Sequence, residues 1–169
     1  MSDRAPINQM TRIALLLALT LAAQSMRLPP PLTGPLVNFM LILSTALAGT
    51  AAGAAIGMVT PGAALLLGII PPLLAPAIPF IMVGNFFYCL LVGLLHNNGK
   101  TGAVIGLALG ALLKFAVIAG AARFLLRIPF PISEALAVPQ LFNALLGGAA
   151  ALLVSYYLRR ALHSSGDGS

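Results

Sequence analysis

Three observations predict an all-α integral membrane protein, with six short transmembrane helices in one bundle and both termini cytoplasmic. Of 169 residues, 60% are hydrophobic and only 7% are charged, where a soluble domain carries about a quarter charged residues. Mean hydropathy is +1.03. Long uncharged stretches alternate with short polar or proline-rich connections, the pattern of a chain that crosses a bilayer repeatedly. The formal net charge is +6, yet the basic residues form neither a run nor a helical face of the kind that tracks phosphates. Nucleic acid is therefore not an expected partner. Cys89 is the only cysteine and lies in an apolar segment, so it reads as a packing residue.

The first span is expected over residues 11–26, where Ala14, Ala18 and Ala22 recur every four residues. Such a smooth stripe lets another helix approach closely, although alanine is also simply common in membrane helices. Arg4 and Arg12 ahead of IALLLALTLAAQS imitate a secretory signal peptide. The apolar run continues to Met26 and the remaining chain is itself polytopic, so a retained first helix is the simpler reading.

RLPPPLTGPLVN, from Arg27 onward, holds four prolines and is predicted to be a stiff, partly polyproline-like loop. Residues 36–75 carry no charge, too long for one span and enough for two tight ones. The small-residue cluster 49–53 marks a hairpin between them, and Thr60-Pro61-Gly62 is expected to kink or start the third helix. IIPPLLAPAIPF is a second proline-stiffened connection, placed on the same side of the membrane as the first. The fourth span covers 78–95, followed by the polar turn HNNGK, and the fifth covers 101–123. RFLLRIPFPISEALAVP then allows a short surface helix between prolines before a sixth span over 138–157. The six-helix domain is expected over 1–160, with 161–169 a disordered cytoplasmic tail. Arg4, Arg12, Lys100, Arg159 and Arg160 fall on one side and Arg27, Arg123 and Arg127 on the other, which puts both termini inside by the positive-inside rule.

The most informative residue is Lys114, the one full charge inside the fifth span. It sits roughly 20 Å from the Thr101 end and about 14 Å from Arg123, at 1.5 Å per helical residue. An ammonium at such a depth costs on the order of 2.5–3.5 kcal/mol on insertion scales, so it must face a bundle interior or a watery cavity. Other polar residues fall at the same outer level: Gln24 at the far end of the first span, Asn38 just past Pro35, Asn85 six residues past Pro79, and Gln140 and Asn143 after Pro139. The inner halves consist of Ala, Gly and Leu, as in AGTAAGAAIG and GGAAALLV. Because polar groups in hydrocarbon need partners, this asymmetry points to a shared outward-facing cavity. The plainer alternative is that these amides bond between helices as structural glue, worth ~0.6 kcal/mol each. Lys114, Arg27, Arg123 and Arg127 surround the layer with positive charge against the single acid Glu134, which favours an anionic ligand. Glu134 could instead latch an arginine in a lid, and the loop charges could simply be solvated.

Catalysis has no support. The sequence lacks a GxxxxGK[ST] loop, an HExxH motif, a Cys/His cluster and any acid within a span, and its serines have no base at a readable spacing. The chain thus looks able to bind a solute while lacking an energy source of its own.

Six short spans, the AxxxA stripe at Ala14 and Ala18, the stiff loop RLPPPLTGPLVN and the proline-then-asparagine starts PLVN and PFIMVGN resemble the substrate-binding S components of energy-coupling-factor (ECF) vitamin transporters. The resemblance spans about residues 11–160. It implies a non-catalytic subunit that captures a vitamin or related micronutrient from outside. It further implies docking on a transmembrane scaffold subunit and two ATPase subunits, which use the ATP, with no cofactor in this chain. The docking motif maps onto Ala14 and Ala18, extended to Ala22. The pocket maps onto Asn85, Lys114, Gln140 and Asn143, with Asn38 in the same layer and Arg27 and the loop around Thr33 as a lid. The chain departs from well-known members in having no tryptophan and three tyrosines, which argues against stacking of a large flat ring and favours a smaller or more aliphatic anion. Phe86, Phe87, Tyr88 and Phe115 are the expected apolar wall. Two further readings stay open: a self-sufficient secondary carrier, and a structural or assembly protein in which Lys114 pairs with a partner's acid.

Overall fold

The computed structural model describes residues 4–26, 28–96, 98–126 and 130–166, and every regular element among them is helical. The six helices are α1 Arg4–Ser25, α2 Pro30–Ala48, α3 Thr50–Leu66, α4 Ile78–His96, α5 Gly99–Gly120 and α6 Phe130–Gly166. A 3-10 turn, Pro72–Ala77, leads into α4, and α5 runs on into a π turn, Ala121–Leu125. Four segments are long and apolar enough to cross a membrane: Pro31–Ala48, Pro72–His96, Gly99–Leu125 and Pro139–Leu158. With 17 residues, α3 reaches only about 25 Å at 1.5 Å per residue, short of the ~30 Å hydrocarbon core.

Helices α2 to α6 close a ring, each packed on the next, with α6 returning to α2; α1 lies against α2 and α3. Lipid tails are as apolar as leucine, so helices associate in a bilayer through close packing rather than through removal of apolar surface from water. Glycine provides that closeness here. A Cβ added at Gly106 of α5 would lie 2.9 Å from the Leu91 carbonyl oxygen of α4, and one at Gly147 of α6 would run into the α2 backbone at Pro35 and Phe39. Leu41, Ile42, Ile56, Tyr88, Cys89 and Val92 fill the centre, Cys89 being fully buried as its setting predicts. Buried threonine hydroxyls are satisfied within their own helices. Thr20 donates to the Leu16 carbonyl at 2.7 Å, Thr45 to Leu41 at 2.9 Å and Thr60 to Ile56 at 2.6 Å, so none needs water in the hydrocarbon.

Several proline-based expectations are corrected. Among the described residues of the stiff first loop only Leu28 and Pro29 lie outside a helix, because α2 already begins at Pro30. Proline at a first helical turn loses no bond, since those N–H groups have no intrahelical acceptor in any case. Thr33 reinforces the entry by donating its hydroxyl to the Leu28 carbonyl at 2.6 Å. The hairpin between α2 and α3 is a single residue, Gly49, whose φ of 97° is open to glycine and strained for other residues. Pro61 does not start a helix but lies inside α3. The second proline connection is a 3-10 turn. The separate surface helix and sixth span merge into one 37-residue α6 that carries Pro139 in its interior, where one lost backbone bond is tolerated. That helix continues to Gly166, past the expected boundary at residue 160. By contrast α4 starts where predicted and ends one residue later.

Candidate solute-binding cavity

The outer-layer residues converge. A single cavity of about 940 Å³ is lined by Gln24 of α1, Asn38 of α2, Asn85 of α4, Lys114 of α5 and Gln140 and Asn143 of α6, together with Thr33. Both proline-rich connections reach it, through Leu28 and Pro31 on one side and Ile69, Ile70, Pro71 and Leu74 on the other. The remaining wall is mainly apolar, with Val37, Ile81, Phe142 and Leu146. Arg27 and Arg127 lie outside the described residues, as does the side chain of Glu134. Arg123 is exposed and takes no part in the lining, so of the four cations expected around the layer, Lys114 is the one that the structure places there.

Lys114 is 2% exposed. Its Nζ donates to Asn38 Oδ1 at 2.6 Å, and Asn38 Nδ2 donates in turn to the Gly34 carbonyl at 2.8 Å. The second bond orients the first: with its amide nitrogen committed to its own helix, Asn38 must turn its oxygen toward the lysine. Nζ also stands 5.4 Å from the centroid of the Tyr88 ring, within the range of a cation–π contact. Gly84 makes room for the lysine stem, because a Cβ there would lie 3.2 Å from Lys114 Cγ. Nothing in this arrangement neutralises the ammonium, since an amide and an aromatic face carry no net charge. An ammonium has three N–H donors, and Asn38 takes one. The lysine thus places a donor group that Asn38 does not fully occupy beside a cavity whose wall combines amide side chains with apolar ones.

The expected aromatic wall is corrected. None of Phe86, Phe87, Tyr88 and Phe115 lines the cavity, and the aromatic ring that does is Phe142. Tyr88 is fully buried, with its hydroxyl donating to the Ala144 carbonyl at 2.6 Å; it props Lys114 from behind and joins α4 to α6. Gly148 leaves space for that hydroxyl. Spacing along α4 cannot distinguish a ring that faces the chamber from one packed behind it.

Ala14, Ala18 and Ala22 are exposed along α1, whereas Leu16, Thr20 and Ala23 on the same helix are buried against the bundle. The small-residue stripe therefore faces away from α2 and α3. A second, much smaller cavity of about 90 Å³ lies near the far end of α4 and is lined by Thr45, Thr50, Gly93 and His96 among others. Beside that end, Lys100 stands 4.9 Å over the Tyr156 ring, linking α5 to α6.

An all-helical membrane bundle that holds one open, solute-sized cavity bordered by a buried lysine is the architecture of a membrane solute-recognition protein. The model of the ECF transporter substrate-specific component family matches residues 8–159, and the chain belongs to that family. No individual curated protein and no solved structure matches it. It is accordingly a multi-pass membrane component of a transporter, and its family is not one of enzymes.

Proposed function

We propose that this chain captures a small anionic vitamin or related micronutrient from outside the cell membrane and surrenders it to an ATP-driven ECF module. One observation carries the reading: the buried Lys114 ammonium, positioned by Asn38 and Tyr88, borders a 940 Å³ chamber. In this reading the bundle sits in the cytoplasmic membrane, the termini face inward, and the chamber opens outward, in line with the excess of basic residues at the other end. Asn85, Gln140 and Asn143 orient the solute, with Asn38 acting through the lysine. The exposed face of Ala14, Ala18 and Ala22 docks on the transmembrane scaffold, and the two ATPase subunits supply the energy.

Native mass spectrometry of gently purified protein, followed by identification of the released small molecule, tests the reading directly. A bound acid is expected. A protein that carries none, and that no acid from a vitamin panel stabilises, would sink it in favour of a structural role. The docking assignment has its own test. Ala18→Trp puts a large ring on the exposed stripe without touching the chamber, so cellular uptake should fall by at least about tenfold while the purified protein binds its solute unchanged. Equal loss of both would place Ala18 in folding rather than docking.

Gly34 offers a milder probe of the chamber. A Cβ there collides with the Asn143 amide, so Gly34→Val should push Asn143 out of position. Loss of one hydrogen bond to the solute weakens binding by about tenfold, measurable by isothermal titration, with α2 still formed by circular dichroism.

A further inference from the structure

The chamber wall holds two oxygens that no protein donor reaches. Asn85 is only 3% exposed, and its Oδ1 is buried without a hydrogen-bond partner; Gln24 Oε1 is in the same condition. Both side chains line the cavity that Lys114 borders. Asn85 follows Gly84, over which the lysine stem packs, so the amide on α4 and the ammonium on α5 belong to one level of the chamber. Gln24 approaches from α1. A side-chain amide oxygen only accepts, whereas an ammonium only donates. The wall therefore carries two opposite demands, a donor at Lys114 and, once a solute draws the two amides round toward it, acceptors at Asn85 and Gln24, set in an apolar surface of Ile69, Ile70, Leu74, Ile81 and Phe142.

We propose that Asn85 and Gln24 read a hydrogen-bond donor on the solute. The solute class is then an acid that also carries an amide N–H or a hydroxyl on a compact apolar body, and not a plain alkanoate. This inference rests on the anion-capture reading above and narrows it. It also assigns Gln24, on a helix otherwise connected with docking, to the recognition surface. A site with acceptors waiting in an apolar wall rejects an analogue that lacks the donor, because binding would bury those oxygens unpaired.

The test uses matched acids on the detergent-purified full chain: N-acetyl-leucine against N-acetyl-N-methyl-leucine, and 2-hydroxy-4-methylpentanoate against 4-methylpentanoate. Affinities are read from ligand-dependent melting shifts. In the unsubstituted protein the donor-bearing member of each pair is expected to bind at least tenfold more tightly. That ratio should fall toward one in Asn85→Leu and shrink in Gln24→Leu. Both variants should also raise the melting temperature of the empty protein, since each removes a buried oxygen without a partner. Equal affinity within both pairs, together with binding that is lost in Lys114→Met, would overturn the donor inference and leave anion capture standing. A lowered melting temperature in both leucine variants would also overturn it, because those oxygens would then be satisfied in the empty protein. Binding of no acid, or binding indifferent to Lys114→Met, would remove the anion-capture reading and this inference with it.

Discussion

Lys114→Met should reduce solute affinity by between about 30-fold and several thousand-fold, the range for removing one partner of a buried, hydrogen-bonded charge pair. Methionine keeps the length and apolar character of the lysine stem against Gly84, so packing between α4 and α5 is preserved and the change is confined to the ammonium. Equilibrium binding to the purified protein and uptake by whole cells should fall together, because capture precedes any step driven by the ATPases. Thermal stability should change little. Lys114 is 2% exposed, so losing its charge removes a desolvation cost, but Asn38 Oδ1 is then left buried without its donor. Lys114→Arg should not restore binding, since the planar guanidinium is bulkier and cannot reproduce a point donor in a slot bounded by Gly84, Asn38 and Tyr88. Retained affinity in Lys114→Met would show that the lysine is a structural tie between α5 and α2.

Gly147→Leu should be the most damaging substitution to the fold. The residue is buried on α6, and the atoms that an added Cβ meets belong to the α2 backbone, the Pro35 carbonyl oxygen and the Phe39 nitrogen, rather than to movable side-chain ends. The two helices must separate, and overpacking of this kind costs about 3 kcal/mol. A clear drop in melting temperature in detergent is expected. Solute binding should suffer too, because Asn38 and Asn143 lie on the two helices driven apart. Gly120→Leu is the control: nothing lies within 4 Å of a Cβ at that position, so the melting temperature should barely move. Equal stability of the two variants would mean that α2 and α6 are not in this contact.

The residues that meet in the chamber were legible because depth along a helix is a one-dimensional quantity. Counting residues from a loop places Asn85 or Lys114 at a level in the bilayer, and the cost of a polar group in hydrocarbon forces those at one level to seek a common partner or cavity. What counting cannot supply is azimuth. Tyr88 is three residues from Asn85 and one helical turn away, yet it packs behind the lysine, while Phe142, beside Asn143, is the aromatic residue in the cavity lining.

Prolines misled for a related reason. Their penalty depends on whether the missing N–H has an acceptor, so the residue begins α2 at Pro30 without loss, whereas inside α6 Pro139 forgoes one backbone bond that the surrounding helix outweighs.

The sequence by itself determined the membrane class, the all-helical fold, the limits of α4 and the polar level of the chamber, all consequences of transfer cost acting residue by residue. Only the tertiary structure decided which oxygen Lys114 holds, which amide oxygens are left without a donor and which face of α1 turns outward, because each depends on what a neighbouring helix places within about 3 Å, the reach of a hydrogen bond.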